Sequence, residues 1–243
     1  MARSIYIASP NAGTGKSTVA LGLVSCLTKV VAKVGVFRPF VESREGDAFL
    51  SLLLNRAGST TPAEQCVGAT WDEFHADPEE ALARIVDAYR AMAREHDVVI
   101  IDGSDFTDVA GNPELALNAR VAANIGVPVL LVVSGQNDVE DVVASVEVSM
   151  AEIADNHART VAVVANKCLP ETRQAVGEAL TAIEGITSTT LPEVPLLAAP
   201  VVREVLDAVE GTLIAGDETL LDREAESVLV CAMDVAHVLE RLT

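Results

Sequence analysis

The sequence predicts a three-layer α/β/α domain built on a doubly wound, mostly parallel sheet. Three observations carry this: apolar runs of strand length that are nearly continuous, amphipathic segments of helical period between them, and short links joining the two kinds. Continuous apolar runs suit strands buried on both faces of a parallel sheet. Their alternation with helices implies right-handed crossovers.

The elements follow in order. Ser4 to Ser9 reads as the first strand, Lys16 to Ala32 as the first helix and Val34 to Arg38 as the second strand. Asp47 to Arg56 is helical, with Leu50, Leu53 and Leu54 on one face. Asp77 caps a further helix that has Pro78 at its first position, where a missing N–H costs no intrahelical bond. Along it Leu82, Ile85, Val86, Tyr89 and Met92 recur at helical spacing and form a core-facing stripe. Val98 to Ile101, Val127 to Val133 and Thr160 to Ala165 are the remaining strands. Val139 to Ile153 is a helix with Val142, Val143, Val146 and Met150 in a stripe. Leu221 to Leu242 reads as the last helix, with Val228, Ala232, Val235 and Leu239 on one side. No repeat or Gly/Ser-rich linker divides the chain, so residues 1–243 are expected to form a single domain.

Composition narrows the function classes. The chain carries 17 basic against 36 acidic side chains, a formal charge of −19. Such a surface repels phosphate backbones and anionic lipid, which argues against nucleic acid and membrane partners. No apolar run approaches the roughly 20 residues that span a bilayer, and Lys16 and Ser17 interrupt the N-terminal apolar stretch too early for a signal peptide. A cytoplasmic location is expected. Cys26, Cys66, Cys168 and Cys231 are scattered without metal-like spacing and, with mostly apolar neighbours, read as buried reduced thiols; the four histidines are equally dispersed.

The chemistry concentrates between the first strand and the first helix. Ser9-Pro10-Asn11-Ala12-Gly13-Thr14-Gly15-Lys16-Ser17-Thr18 has the parts of a phosphate loop. Glycines let backbone N–H groups turn inward around an anion, a lysine at the helix start reaches terminal phosphates, and the adjacent hydroxyl suits Mg²⁺. Gly13, Thr14, Gly15, Lys16, Ser17 and Thr18 are the candidate nucleotide- or phosphate-binding residues. Pro10 stands where such loops usually have glycine, which alters the entry by fixing φ and removing an N–H. A loop that keeps the fold but has lost nucleotide affinity is the alternative, so ATP and Mg²⁺ are expected to bind weakly or vestigially. A Lys16→Ala change is expected to abolish binding and barely move the melting temperature. Asp102-Gly103 ends an apolar strand, either as a metal-binding aspartate or as a turn. Asp47 is a metal ligand or a helix cap. The candidate metal set is Ser17, Asp47 and Asp102. Asn166, followed by Lys167, could read an adenine edge or close a turn, and Arg38 is a possible ligand contact.

These residues resemble those of P-loop NTPases of the dethiobiotin synthetase-like group. The loop, Phe37-Arg38-Pro39, Asp47-Ala48, Asp102-Gly103, Val164-Ala165-Asn166 and Pro192-Glu193-Val194-Pro195-Leu196 follow that group's landmarks in order. A closer similarity is to the N-terminal domain of long-form phosphate acetyltransferase, of the actinobacterial type. It rests on Ala2 to Pro10, Val34 to Pro39 and His237 to Thr243 and runs over essentially the whole chain. The resemblance implies a regulatory and assembly domain of an enzyme that interconverts acetyl-CoA plus phosphate with acetyl phosphate plus CoA. It further implies that acetyl transfer belongs to C-terminal domains of the same polypeptide, that the full-length protein is a homo-oligomer, and that this part is at most a weak ATPase with no catalytic residue. The dethiobiotin synthetase likeness implies ATP and Mg²⁺ roles for Lys16, Ser17, Asp47 and Asp102, with Asn166 at the adenine. A free-standing ATP- and Mg-dependent ligase of that type is the alternative. Arg38 replaces its lysine before proline, keeping charge but changing donor geometry. A partitioning-type switch ATPase is disfavoured by Asn11, where those proteins carry a second lysine.

Overall fold

Seven strands line up in the order β3-β2-β4-β1-β5-β6-β7, and every neighbouring pair among them is parallel. They belong to a computed structural model that describes residues 3–104, 114–197, 199–225 and 237. The chain runs β1 (Arg3–Ala8), α1 (Lys16–Leu27), β2 (Val34–Val41), α2 (Ala48–Ala57), β3 (Val67–Thr70), α3 (Trp71–Ala76), α4 (Pro78–Glu95) and β4 (Val98–Asp102). It continues through α5 (Glu114–Ile125), β5 (Val129–Ser134), α6 (Val139–Asp155), β6 (Thr160–Cys168), α7 (Arg173–Thr181), β7 (Thr187–Pro192) and α8 (Val202–Ala208). These elements fall into two compact units, Met1–Glu193 and Val194–Thr243.

The first unit is the parallel α/β fold that the apolar runs predict. Val99, Ile100 and Ile101 of β4 and Leu131, Val132 and Val133 of β5 are fully buried because helices cover both faces of the sheet. The α4 stripe packs inward through Leu82, Ile85, Tyr89 and Met92, with Val86 at its half-buried margin. Asp77 caps this helix as expected, its carboxylate accepting from Glu79 N and Glu80 N. In α6 Val142 and Val146 are buried, with Val143 and Met150 partly so.

Several boundaries differ from the sequence expectation. Helix α1 ends at Leu27 and not at Ala32, because Lys29 N tightens onto Cys26 O and the β-branched Val30 and Val31 follow. Strand β2 runs on to Val41 through Pro39; its pairing with β4 has ended at Phe37 and β3 engages Arg38 and Phe40, so the missing N–H interrupts no ladder there. Strands β3 and β7 were not expected. The first is four residues long, and the second is a half-exposed threonine-rich edge without an apolar run.

The second unit holds α8, a 3₁₀ turn over Glu218–Asp222 and an antiparallel bridge between Val201 and Glu224. Leu221 to Glu224 therefore do not begin the expected terminal helix. The rest of that helix, with Val228, Ala232, Val235 and Leu239, lies outside the described residues, as does Cys231; of the other thiols Cys66 and Cys168 are buried, whereas Cys26 on α1 is exposed. No helix among the described residues is long and apolar enough to cross a membrane.

Candidate functional site at the carboxyl ends of the strands

Strand β1 lies between β4 and β5 while its chain leaves toward β2, so the crevice above its carboxyl end is where open α/β sheets take ligands. Residues 9–15 form the loop there. Gly13 and Gly15 have φ of 76° and 79°, values that side-chain-bearing residues rarely adopt. Gly15 is doubly constrained, because a Cβ would sit 2.4 Å from Asn166 Nδ2. That amide donates to Thr14 O at 2.8 Å, and Lys167 Nζ donates to Gly13 O at 2.8 Å. Lys167 reaches across with φ of 59°, a left-handed conformation at a bulge late in β6. Asn166 and Lys167 thus brace the loop from the neighbouring strand.

The charged side chains form an alternating chain. Lys16 is 2% exposed, and its Nζ donates to Asp102 Oδ1 at 2.7 Å and to Gly103 O at 2.5 Å. The other oxygen of Asp102 lies 3.4 Å from Arg38 Nε; both atoms are buried and make no hydrogen bond. The Arg38 guanidinium then pairs with Asp47 Oδ2 and sits 5.9 Å from the centre of the Phe49 ring. Asp47 Oδ1 accepts from Leu50 N at 2.8 Å, so this carboxylate caps α2, and both its oxygens are engaged. Arg38 and Asp47 open on a cleft of about 240 Å³ whose walls include Glu42 and Glu45.

The candidate residues are therefore only partly gathered. Lys16, Asp102, Arg38 and Asp47 are linked; Thr14 and Asn166 are buried beside them; Ser17 is half-buried in the first turn of α1; Gly13 and Thr18 are exposed. Among the described residues no cluster of three or more His, Cys, Asp or Glu side chains could hold a metal ion.

A supporting layer escaped sequence reasoning. Gly103 N donates to Ile7 O at 2.9 Å, and a Cβ at Gly103 would lie within 3 Å of Asn118, Ile7 and Tyr6 atoms. Tyr6 donates to Asn118 Oδ1 at 2.7 Å, which also accepts from Ser104 N at 3.0 Å. Burial, then the negative charges of Asp102 and Glu114, push the Tyr6 hydroxyl well above its ordinary range, so it stays protonated and can only support this geometry. The available signal was Asn118 itself, a fully buried amide between the buried Leu117 and Ala119.

The profile of the AAA_26 family, described as an AAA domain, matches residues 3–205. The chain belongs to this family. Phosphate acetyltransferase from Synechocystis is 25% identical over 254 residues, covering 100% of this AAA_26 chain and 36% of the relative. The same-named protein from Nitratidesulfovibrio vulgaris is 24% identical, covering 99% and 36% respectively. The chain thus spans about a third of the length of these relatives. Among solved structures, a putative plasmid partition protein from Borrelia burgdorferi bound to AMPPNP superposes with a TM-score of 0.56. It shares 14% identity, with 90% of this chain and 94% of that one covered, and it shows the fold to be that of P-loop NTPases.

Proposed function

We propose that this chain is the phosphate- and nucleotide-binding N-terminal domain of a longer cytoplasmic phosphate acetyltransferase. It serves that enzyme's regulation and assembly, while other domains of the same polypeptide carry acetyl transfer. The observation behind this is the match over the whole chain to about a third of two phosphate acetyltransferases. A glycine-turned loop with Lys16 over Asp102 supports the binding role.

Lys16 is committed to Asp102 and Gly103 O in the described state. A phosphate entering the loop must compete with Asp102 for this ammonium group, aided by the N–H groups that open α1 and by the helix dipole. Exchanging one charge-assisted bond for another leaves a small net gain, which accounts for the weak nucleotide affinity proposed here. The residues fit a divalent cation in part. Asp102 Oδ2 is buried without a hydrogen bond, and Ser17 stands at the helix start, whereas Asp47 would have to give up both Arg38 and its cap. Mg²⁺ held by Ser17 and Asp102 would neutralise phosphate charge. Asn166 Nδ2 gives one N–H to Thr14 O, and an adenine amino group, itself a donor, would meet the oxygen of the same side chain.

Calorimetric titration of the chain with ATP–Mg²⁺, ADP and inorganic phosphate is expected to give weak saturable binding, and an assay with acetyl-CoA and phosphate no turnover. Silence with all three ligands would remove the binding role. Acetyl phosphate formation by this chain would remove the division of labour.

A further inference from the structure

One cavity in the first unit lies at the other end of the sheet, where the strands begin. It measures about 960 Å³ and is lined by Ser4, Tyr89, Arg90, Arg94 and His96 among others. Tyr89 donates to Ser4 Oγ at 2.8 Å, which ties α4 to the start of β1. Arg90 and Arg94 are one helical turn apart on α4, and among the described residues neither makes an ion pair or hydrogen bond. Arg84 on the same helix pairs with both Glu73 and Glu80, and Arg38, Arg44 and Arg203 each have a carboxylate. Two like charges four residues apart also repel each other, so local helix stability does not explain their placement.

His96 extends the same wall. Its Nδ1 is 2.9 Å from Met92 O, a carbonyl that can only accept, so Nδ1 carries a proton; Nε2 gives a hydrogen bond to a phosphate oxygen only when it too is protonated. The ring is seated against Gly35, where a Cβ would come within 2.9 Å of it. Asp97, the one carboxylate among the described lining residues, accepts from Lys33 N at 3.2 Å.

We propose that this cavity is a second anion site, for a small phosphate-bearing metabolite gripped by Arg90 and Arg94 with His96 beside them. Guanidinium groups present planar forks that match phosphate oxygens, and a concave volume of this size suits a small molecule rather than a protein surface. The site goes beyond the P-loop reading and uses none of its residues. Strands β1 and β4 join the two poles: Ser4 and Asp97 line or adjoin the cavity, while Ala8 leads into the loop and Asp102 meets Lys16. At about 3.3 Å per residue, four or five residues of rigid strand separate the sites.

The test is amide NMR of the chain titrated with inorganic pyrophosphate, comparing wild type with R90Q/R94Q. The wild type should show saturable shifts around Tyr89 to Asp97 and Gly126, separable from any shifts in residues 9–18. In R90Q/R94Q the cavity shifts should weaken by roughly tenfold or more in affinity, because two charge-assisted contacts are lost. Any loop response should persist, and both substitutions lie on an exposed helix face, so the ligand-free melting temperature should be kept. Wild-type shifts confined to the loop, or a cavity response unchanged in R90Q/R94Q, would overturn the second site. Cavity shifts without loop shifts would instead overturn the P-loop reading.

Discussion

Lys16 and Asp102 are 86 residues apart in the chain and 2.7 Å apart in space, with side chains 1% and 0% exposed. Removing one member of such a pair strands the other in a low-dielectric interior, at a cost of about 3–5 kcal/mol. Arg38 Nε, 3.4 Å from the second Asp102 oxygen, offsets part of that. Lys16→Ala is therefore expected to lower the melting temperature by several degrees as well as abolish phosphate binding, in contrast to the near-neutral effect the sequence suggested. The double variant K16A/D102N, which strands neither member of the pair as a lone buried charge, should recover part of the loss. Thermal melts of both variants decide this, and a Lys16→Ala melt within a degree of wild type would show that the pair is not a stabilising element. The turns at Gly13 and Gly15 were legible because a glycine acts on its own backbone. The resting partner of Lys16 was not, because a long-range ion pair depends on which strands become neighbours.

At the level of elements, the short helix α3 shows how termini are held. Thr70 Oγ1 accepts from Glu73 N while Glu73 Oε2 accepts from Thr70 N at 2.8 Å, a reciprocal capping box. The Thr70 N–H first, and then Arg44 and Arg84, hold the Glu73 carboxyl below its ordinary range, although partial burial works the other way. A carboxylate with a depressed folded-state pKa adds stability above its unfolded pKa and loses it as pH falls through the folded value. The melting-temperature gap between wild type and Glu73→Gln should therefore be open near neutrality and close as pH drops below the ordinary carboxylate range. A gap independent of pH would show that the carboxylate charge contributes nothing here. Helix α4 was readable from Asp77, Pro78 and its apolar stripe, since each signal lies within a few residues of the feature it makes. β3 and β7 were not, because a four-residue strand and a polar edge carry too short or too weak a period, and pairing with β2 and β6 defines them.

For the whole molecule, the seven strands and the loop fall within Met1–Glu193, and among the described residues the second unit contributes α8, a 3₁₀ turn and one antiparallel bridge. A chain ending at Glu193 is expected to melt cooperatively and to keep the phosphate response of the loop, as judged by circular dichroism and calorimetry. A molten product would show that residues beyond 193 complete the fold. In a chain of net charge −19, Arg90 and Arg94 place two positive charges on one cavity at the pole away from the loop. The sequence by itself determined the alternation of strands and helices, the glycine-turned loop ahead of Lys16 and the cap of α4, and it left Asp47 open between a cap and a metal ligand. Those signals are periods and residue types acting over one turn or one strand. Only the tertiary structure decided that Lys16 rests on Asp102, that Asp47 closes an ion chain through Arg38, and that Asn166 and Lys167 brace the loop. Placing β1 beside β4 and β5 chooses those neighbours, and electrostatic partners follow distance in space rather than separation along the chain.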